Sequence, residues 1–149
     1  MSDLTDLYQE IVLDHNRHPR HRGRLEHPTH QADGDNPLCG DRVHLDLEVD
    51  AEGVVRDVRF DGEGCAISTA SASMLTDAVL GRPIAEAQAL AQRFRTLLTT
   101  AAPAEATDLG ELEAMLGVRA YPMRVKCATL AWHTLLQALA QRSGSAAMG

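Results

Sequence analysis

Val43-His44-Leu45-Asp46-Leu47-Glu48-Val49-Asp50 alternates apolar and polar residues without a break. That is the period-2 pattern of a strand with one face on a core. Ala51-Glu52-Gly53 follows as a short turn, and Val54, Val55, Val58 and Phe60 form a second run rich in β-formers. The two runs pair as an antiparallel hairpin, and Thr29 to Asp33 reads as a weak third strand beside them. Beyond Cys65 the period changes. Ile67, Ala70, Met74 and Ala78, with Leu75 and Val79, fill one helical face up to a stop at Gly81. Pro83 opens a further helix through Leu90, Phe94, Leu97 and Leu98. Thr100 to Thr107 reads as a loop. Asp108 caps a short helix holding Leu109, Leu112, Met115 and Leu116, ending at Gly117. Ala128, Ala131, Trp132, Leu135, Leu136 and Leu139 mark the last helix.

Upstream, Ser2 can cap a first helix whose buried face is Leu4, Leu7, Tyr8, Ile11 and Val12, and Pro19 stops it. His15 to His30 holds five of the seven histidines with Arg17, Arg20, Arg22 and Arg24. These lack regular ligand spacing and read as a solvated connector. Strands first and helices afterwards give an α+β fold: a small antiparallel sheet of about three strands covered by helices. The chain of 149 residues reads as one domain, 1–149, with 143–149 a flexible tail.

The net charge of −7 argues against nucleic acid as a partner, since phosphate binding needs a basic field. No apolar run approaches the ~18 residues that span a bilayer, and no signal-peptide pattern opens the chain. With aromatics at 3%, the core must be mostly aliphatic. Three cysteines, an odd number, fit a reducing cytosol where thiols persist for metal or redox work, so the expected location is cytoplasmic.

Cys39 lies in the Pro/Gly loop Asn36-Pro37-Leu38-Cys39-Gly40-Asp41, with a carboxylate two residues on. Cys65 stands where a helix begins, and the backbone dipole there favours an anion. Cys127 follows the cationic run Arg124-Val125-Lys126, between it and the last helical pattern. Together with Asp41 these make four candidate ligands for a tetrahedral Zn2+. No C-x2-C knuckle is present. On the residues alone, a metal site and three unrelated thiols both stand open.

The segments Leu7-Tyr8 to Pro19-Arg20, Asn36 to Asp41, Phe60 to Met74 and Arg124 to Trp132 resemble the U-type iron–sulfur cluster assembly proteins, the IscU/SufU (NifU N-terminal-like) family. The resemblance covers nearly the whole chain and all three cysteines. Within the family the chain looks more like the SufU type than the IscU scaffold type. Scaffolds carry a histidine just before the last cysteine, where this chain has Lys126, and a protonated ammonium has no lone pair for a metal. The scaffolds' chaperone-binding Pro-Pro-Val-Lys run is replaced by Tyr121-Pro122-Met123-Arg124. The interval from Cys65 to Cys127 also looks longer than in the scaffolds.

The resemblance implies that Cys39, Asp41, Cys65 and Cys127 hold one Zn2+ and that Cys39 accepts sulfur. The donor would be the persulfide of a PLP-dependent, SufS-type cysteine desulfurase, and the onward acceptor a SufBCD-type scaffold. Arg124 would steer the persulfide or the partner's surface. Arg20 belongs to the resembling segment without an assigned task. The rival implication is a scaffold on which a [2Fe–2S] cluster is assembled and transferred.

Overall fold

The computed structural model describes residues 2–37, 40–99 and 107–140; for 2–8, 107–111, 113 and 120 only the backbone is described. Helix α1 (Ser2–Arg17) leads through a connector to strands β1 (His30–Asn36), β2 (Asp41–Val49) and β3 (Val55–Glu63). Helices α2 (Ala66–Val79) and α3 (Ile84–Thr99) follow, then a 3-10 helical segment (Thr107–Ala120) and α4 (Pro122–Leu139). The expected α+β architecture is what forms: a three-stranded antiparallel sheet in the order β1-β2-β3. The inward residues of the alternating stretch, Val43, Leu45 and Leu47, are buried, as are Val55, Val58 and Phe60 beside them.

Several boundaries differ from the sequence expectation. β1 runs to Asn36 and not to Asp33, so it delivers the chain to the cysteine loop in register with Asp41. β3 continues through the glycine-bearing run to Glu63. The segment with Leu112 and Met115 is a 3-10 helix that passes through Gly117 and ends at Ala120. α4 begins at Pro122, so Arg124 and Cys127 lie within its first two turns. The expected loop from Thr100 and the tail from Ser143 fall on residues outside those described, apart from Thr107, which opens the 3-10 segment.

α2 is buried on nearly every side; Ser71, Ser73 and Thr76 are covered as completely as Met74 and Leu75. Its run of Ala and Ser lets α1 approach from one side and α4 from the other, and the Ser71, Ser73 and Thr76 hydroxyls find partners across the contact. Ser71 donates to the Ala128 carbonyl at 2.6 Å and accepts from Trp132 Nε1 at 3.0 Å. Ser73 meets His15 Nδ1 at 2.8 Å and accepts the Arg20 backbone N–H at 2.8 Å. Phe94 of α3 packs on Trp132 with ring centroids 4.7 Å apart. Buried polar groups cost free energy unless bonded, and here they are bonded.

The histidine-rich stretch is not the solvated connector its composition suggests. His15 and His30 are buried, and His21 bonds Thr76 at 3.1 Å. Its middle hydrogen-bonds the free edge of β3, with Gly23 N donating to Phe60 O and Phe60 N to His21 O. It then crosses the sheet's outer face, where it covers Asp46 completely. That carboxylate accepts from Arg24 Nε and Leu25 N, each at 3.0 Å, and meets His44 Nε2 at 2.6 Å. Burial works to raise the Asp46 carboxyl, but the Leu25 amide, His44 and Arg24 outweigh it and hold it below the usual carboxylate value.

Candidate metal centre

Three of the four residues singled out by their chemistry come together where strand, helix cap and last helix meet. The nearest ligand atoms of Asp41, Cys65 and Cys127 all lie within 4.8 Å of one another. Among the described residues this is the one such group of three. Cys39 and Leu38 lie outside the described residues, between Pro37 and Gly40.

Each ligand is placed for a local reason. Asp41 is the first residue of β2, paired with Asn36 across the hairpin, and it is 1% exposed. The turn before it is closed by Gly40 N donating to Asn36 O at 2.8 Å, and Gly40 takes φ +74, a conformation that suits glycine. Cys65 is the N-cap of α2, with its Sγ accepting from Ser68 N at 3.4 Å, as a capping serine oxygen would. Asp41 Oδ1 accepts the Cys65 backbone N–H at 3.0 Å, and Cys65 Sγ stands 3.9 Å from Asp41 Oδ2. Gly64 makes this approach possible: a Cβ there would stand 2.7 Å from Asp41 Oδ1 and 3.0 Å from Ser68 Oγ. Cys127 is buried in α4, while Cys65 is exposed, so the group opens to solvent on the Cys65 side.

Two thiols and a carboxylate this close suit Zn2+, which takes sulfur at about 2.3 Å and carboxylate oxygen at about 2.0–2.2 Å. Their separations need only a small contraction to surround one ion. Lys126, next to Cys127, is exposed and lines a different cleft, between α3 and α4. Arg124 is exposed too, and its guanidinium sits 4.9 Å from the ring centroid of Tyr121, itself 54% exposed. Arg20 has a structural task that the sequence did not reveal. It binds Asp14 Oδ2 at 2.6 Å and the His18 carbonyl at 2.9 Å, locking the end of α1, and it holds the Asp14 carboxyl below its usual value.

The chain is similar to known proteins over nearly its whole length. The Zinc-dependent sulfurtransferase SufU of Bacillus subtilis is 39% identical over 143 residues, covering 96% of each chain. The Iron-sulfur cluster assembly scaffold protein IscU of Streptococcus pyogenes is 42% identical over 146 residues, covering 98% of this chain and 90% of the relative. A solved structure from Fervidobacterium islandicum, named as a candidate iron–sulfur cluster assembly scaffold for the SUF system, superposes with a TM-score of 0.79 at 32% identity. It covers 93% of this chain and 99% of the other. The family model for the NifU-like N terminal domain matches residues 7–141, and the chain belongs to that family.

Proposed function

We propose that this protein is a zinc-dependent sulfurtransferase that takes persulfide sulfur from a cysteine desulfurase and passes it on for iron–sulfur cluster assembly. The convergence of Asp41, Cys65 and Cys127 carries the reading, with Lys126 turned away from them. Asp41, Cys65, Cys127 and Cys39 would hold the zinc. When bound, the metal keeps its thiol ligands deprotonated at neutral pH. Cys39 is the assigned acceptor. Its thiolate attacks the outer sulfur of the desulfurase persulfide, the S–S bond there breaks, and the desulfurase cysteine leaves as a thiolate. The product is a persulfide on Cys39, with no net oxidation. The Cys65 amide anchors Asp41, which would hold that carboxylate in place when Cys39 reacts. Arg124, on the exposed first turn of α4, is assigned to steering the partner or its persulfide. A PLP-dependent enzyme of the SufS type fits as donor and a SufBCD-type complex as acceptor.

The test is desulfurase turnover with and without this protein, before and after its zinc is stripped and restored. Stimulation that disappears with the zinc and returns on reloading is expected. Cys39→Ala should abolish sulfur acceptance, and full transfer by that variant would sink the acceptor assignment. The Streptococcus relative named as a scaffold favours a second reading, in which a [2Fe–2S] cluster is built on the same residues. A visible charge-transfer band with acid-labile sulfide in anaerobically purified protein would select it.

A further inference from the structure

Among the described residues, two of the concave regions near the candidate metal centre differ in their electrostatics. The larger, an open groove of about 800 Å³ on the outer sheet face, is lined by charges that satisfy one another. Arg42 pairs with Glu63 at 2.5 Å, His44 with Asp33 at 2.7 Å and Arg22 with Asp61 at 3.8 Å. The smaller, about 290 Å³, lies between α3 and α4. Lys126, Thr129, Leu130 and His133 fall at i, i+3, i+4 and i+7 along α4, so they share one face. Arg95 faces them from α3, and Asp35 stands at the β1 end.

Among the described residues, the side chains of Arg95, Lys126 and His133 make no hydrogen bond or ion pair. Elsewhere Arg20, Arg24, Arg56, Arg59 and Arg82 are each matched with a carboxylate. In a chain with 21 acidic and 14 basic residues, two unmatched cations, Arg95 and Lys126, sharing one concave region with a histidine stand out. The Thr129 hydroxyl is spent on the Val125 carbonyl at 3.0 Å, so recognition here falls to charge. Half-buried Leu130 adds an apolar floor, which suits a carboxylate on an aliphatic stem better than an inorganic anion. The place is as telling as the charge. Lys126 adjoins Cys127, and Asp35 and Asn36 precede Cys39 by four and three positions in the sequence.

We propose that this cleft is a docking point for an acidic side chain of the desulfurase, an inference that rests on the sulfur-transfer reading. Arg95 and Lys126 supply the attraction from two separate helices, and the His133 ring adds a polar nitrogen for a hydrogen bond to the carboxylate. Asp35 at the rim limits the charge the cleft accepts, so a single carboxylate fits better than a dense acidic run.

Zinc-loaded parent, Arg95→Glu and His133→Glu proteins should be titrated against the desulfurase at low salt. Two quantities are read: the concentration giving half-maximal stimulation, and direct binding by calorimetry. In each variant the half-maximal concentration is expected to rise roughly tenfold, with maximal turnover, zinc content and melting temperature unchanged. Added salt should shrink the parent's advantage. Arg95→Lys, which keeps the charge, should bind within about twofold of the parent. If the parent stimulates and both Glu variants match it, the docking point falls while the sulfur-transfer function stands. If the parent neither binds nor stimulates, both fall.

Discussion

Gly64 sets how closely Asp41 can approach Cys65, because any Cβ at that position would press on the carboxylate from 2.7 Å. Gly64→Ala should therefore push Asp41 off the Cys65 amide and weaken zinc binding by about tenfold or more, read in a competition titration with a chromophoric chelator. Asp41→Ala removes the ligand oxygen and the amide's acceptor together and should loosen zinc at least as much. Unchanged affinity in that variant would rule Asp41 out as a ligand. At this scale the members of the candidate group, Asp41, Cys65 and Cys127, were legible in the sequence, because thiols at a helix start and beside cations stand in surroundings that suit an anion. The role of Gly64 was not, since it depends on a carboxylate 23 positions earlier in the chain. Arg20 was missed for the same reason: its partners are set by how the chain turns at Pro19.

Among the elements, α2 departs furthest from its sequence pattern. The spacing of Ile67, Ala70, Met74 and Ala78 describes a helix with one buried face, whereas the structure buries it nearly all round. The signal was present in Ser68-Thr69-Ala70-Ser71-Ala72-Ser73: small residues with short hydroxyls permit close approach on every side. Polar serines do not count as apolar in a periodicity, so the pattern concealed it. Ser71→Ala tests the consequence. It leaves Trp132 Nε1 without its acceptor inside the core, which should cost about 1–3 kcal/mol of stability in chemical denaturation. No loss would mean that the indole finds another partner. β1 was underread because Gln31, Asp33, Gly34 and Asp35 carry few β-formers, and pairing with β2 forms it regardless. The start of α4 was underread because the cationic run looks like a surface loop, while Pro122 suits a first helical turn.

For the molecule as a whole, acidity and metal are the levers. Asp46 keeps a carboxyl value below 3.8 in the folded state, so its contribution is complete above about pH 4 and is lost as pH falls through that lowered value. Asp46→Asn should lose less stability than the parent between pH 5 and pH 3, in denaturant melts at each pH, although it starts less stable at neutral pH. Cys65→Ser should lose zinc and lower the melting temperature, because metal binding contributes folding free energy; an unchanged melt would count against a ligand role. The sheet-then-helices order was readable, yet the meeting of strand edge, helix cap and last helix was not, because only tertiary packing closes those distances. Zinc held at this meeting point would act as a reversible crosslink. It would close chain loops of 24 residues, from Asp41 to Cys65, and of 62, from Cys65 to Cys127. By the chain-entropy rule for disulfides, loops of that size are worth about 3–4 kcal/mol apiece. Releasing Cys65 would merge the two into one loop of 86 residues, from Asp41 to Cys127, and so remove one of the two constraints. Releasing Cys39 reopens neither, because Asp41, two residues along, keeps the same segment tied. In topological terms, the assigned sulfur acceptor would be the ligand this chain could let go most cheaply.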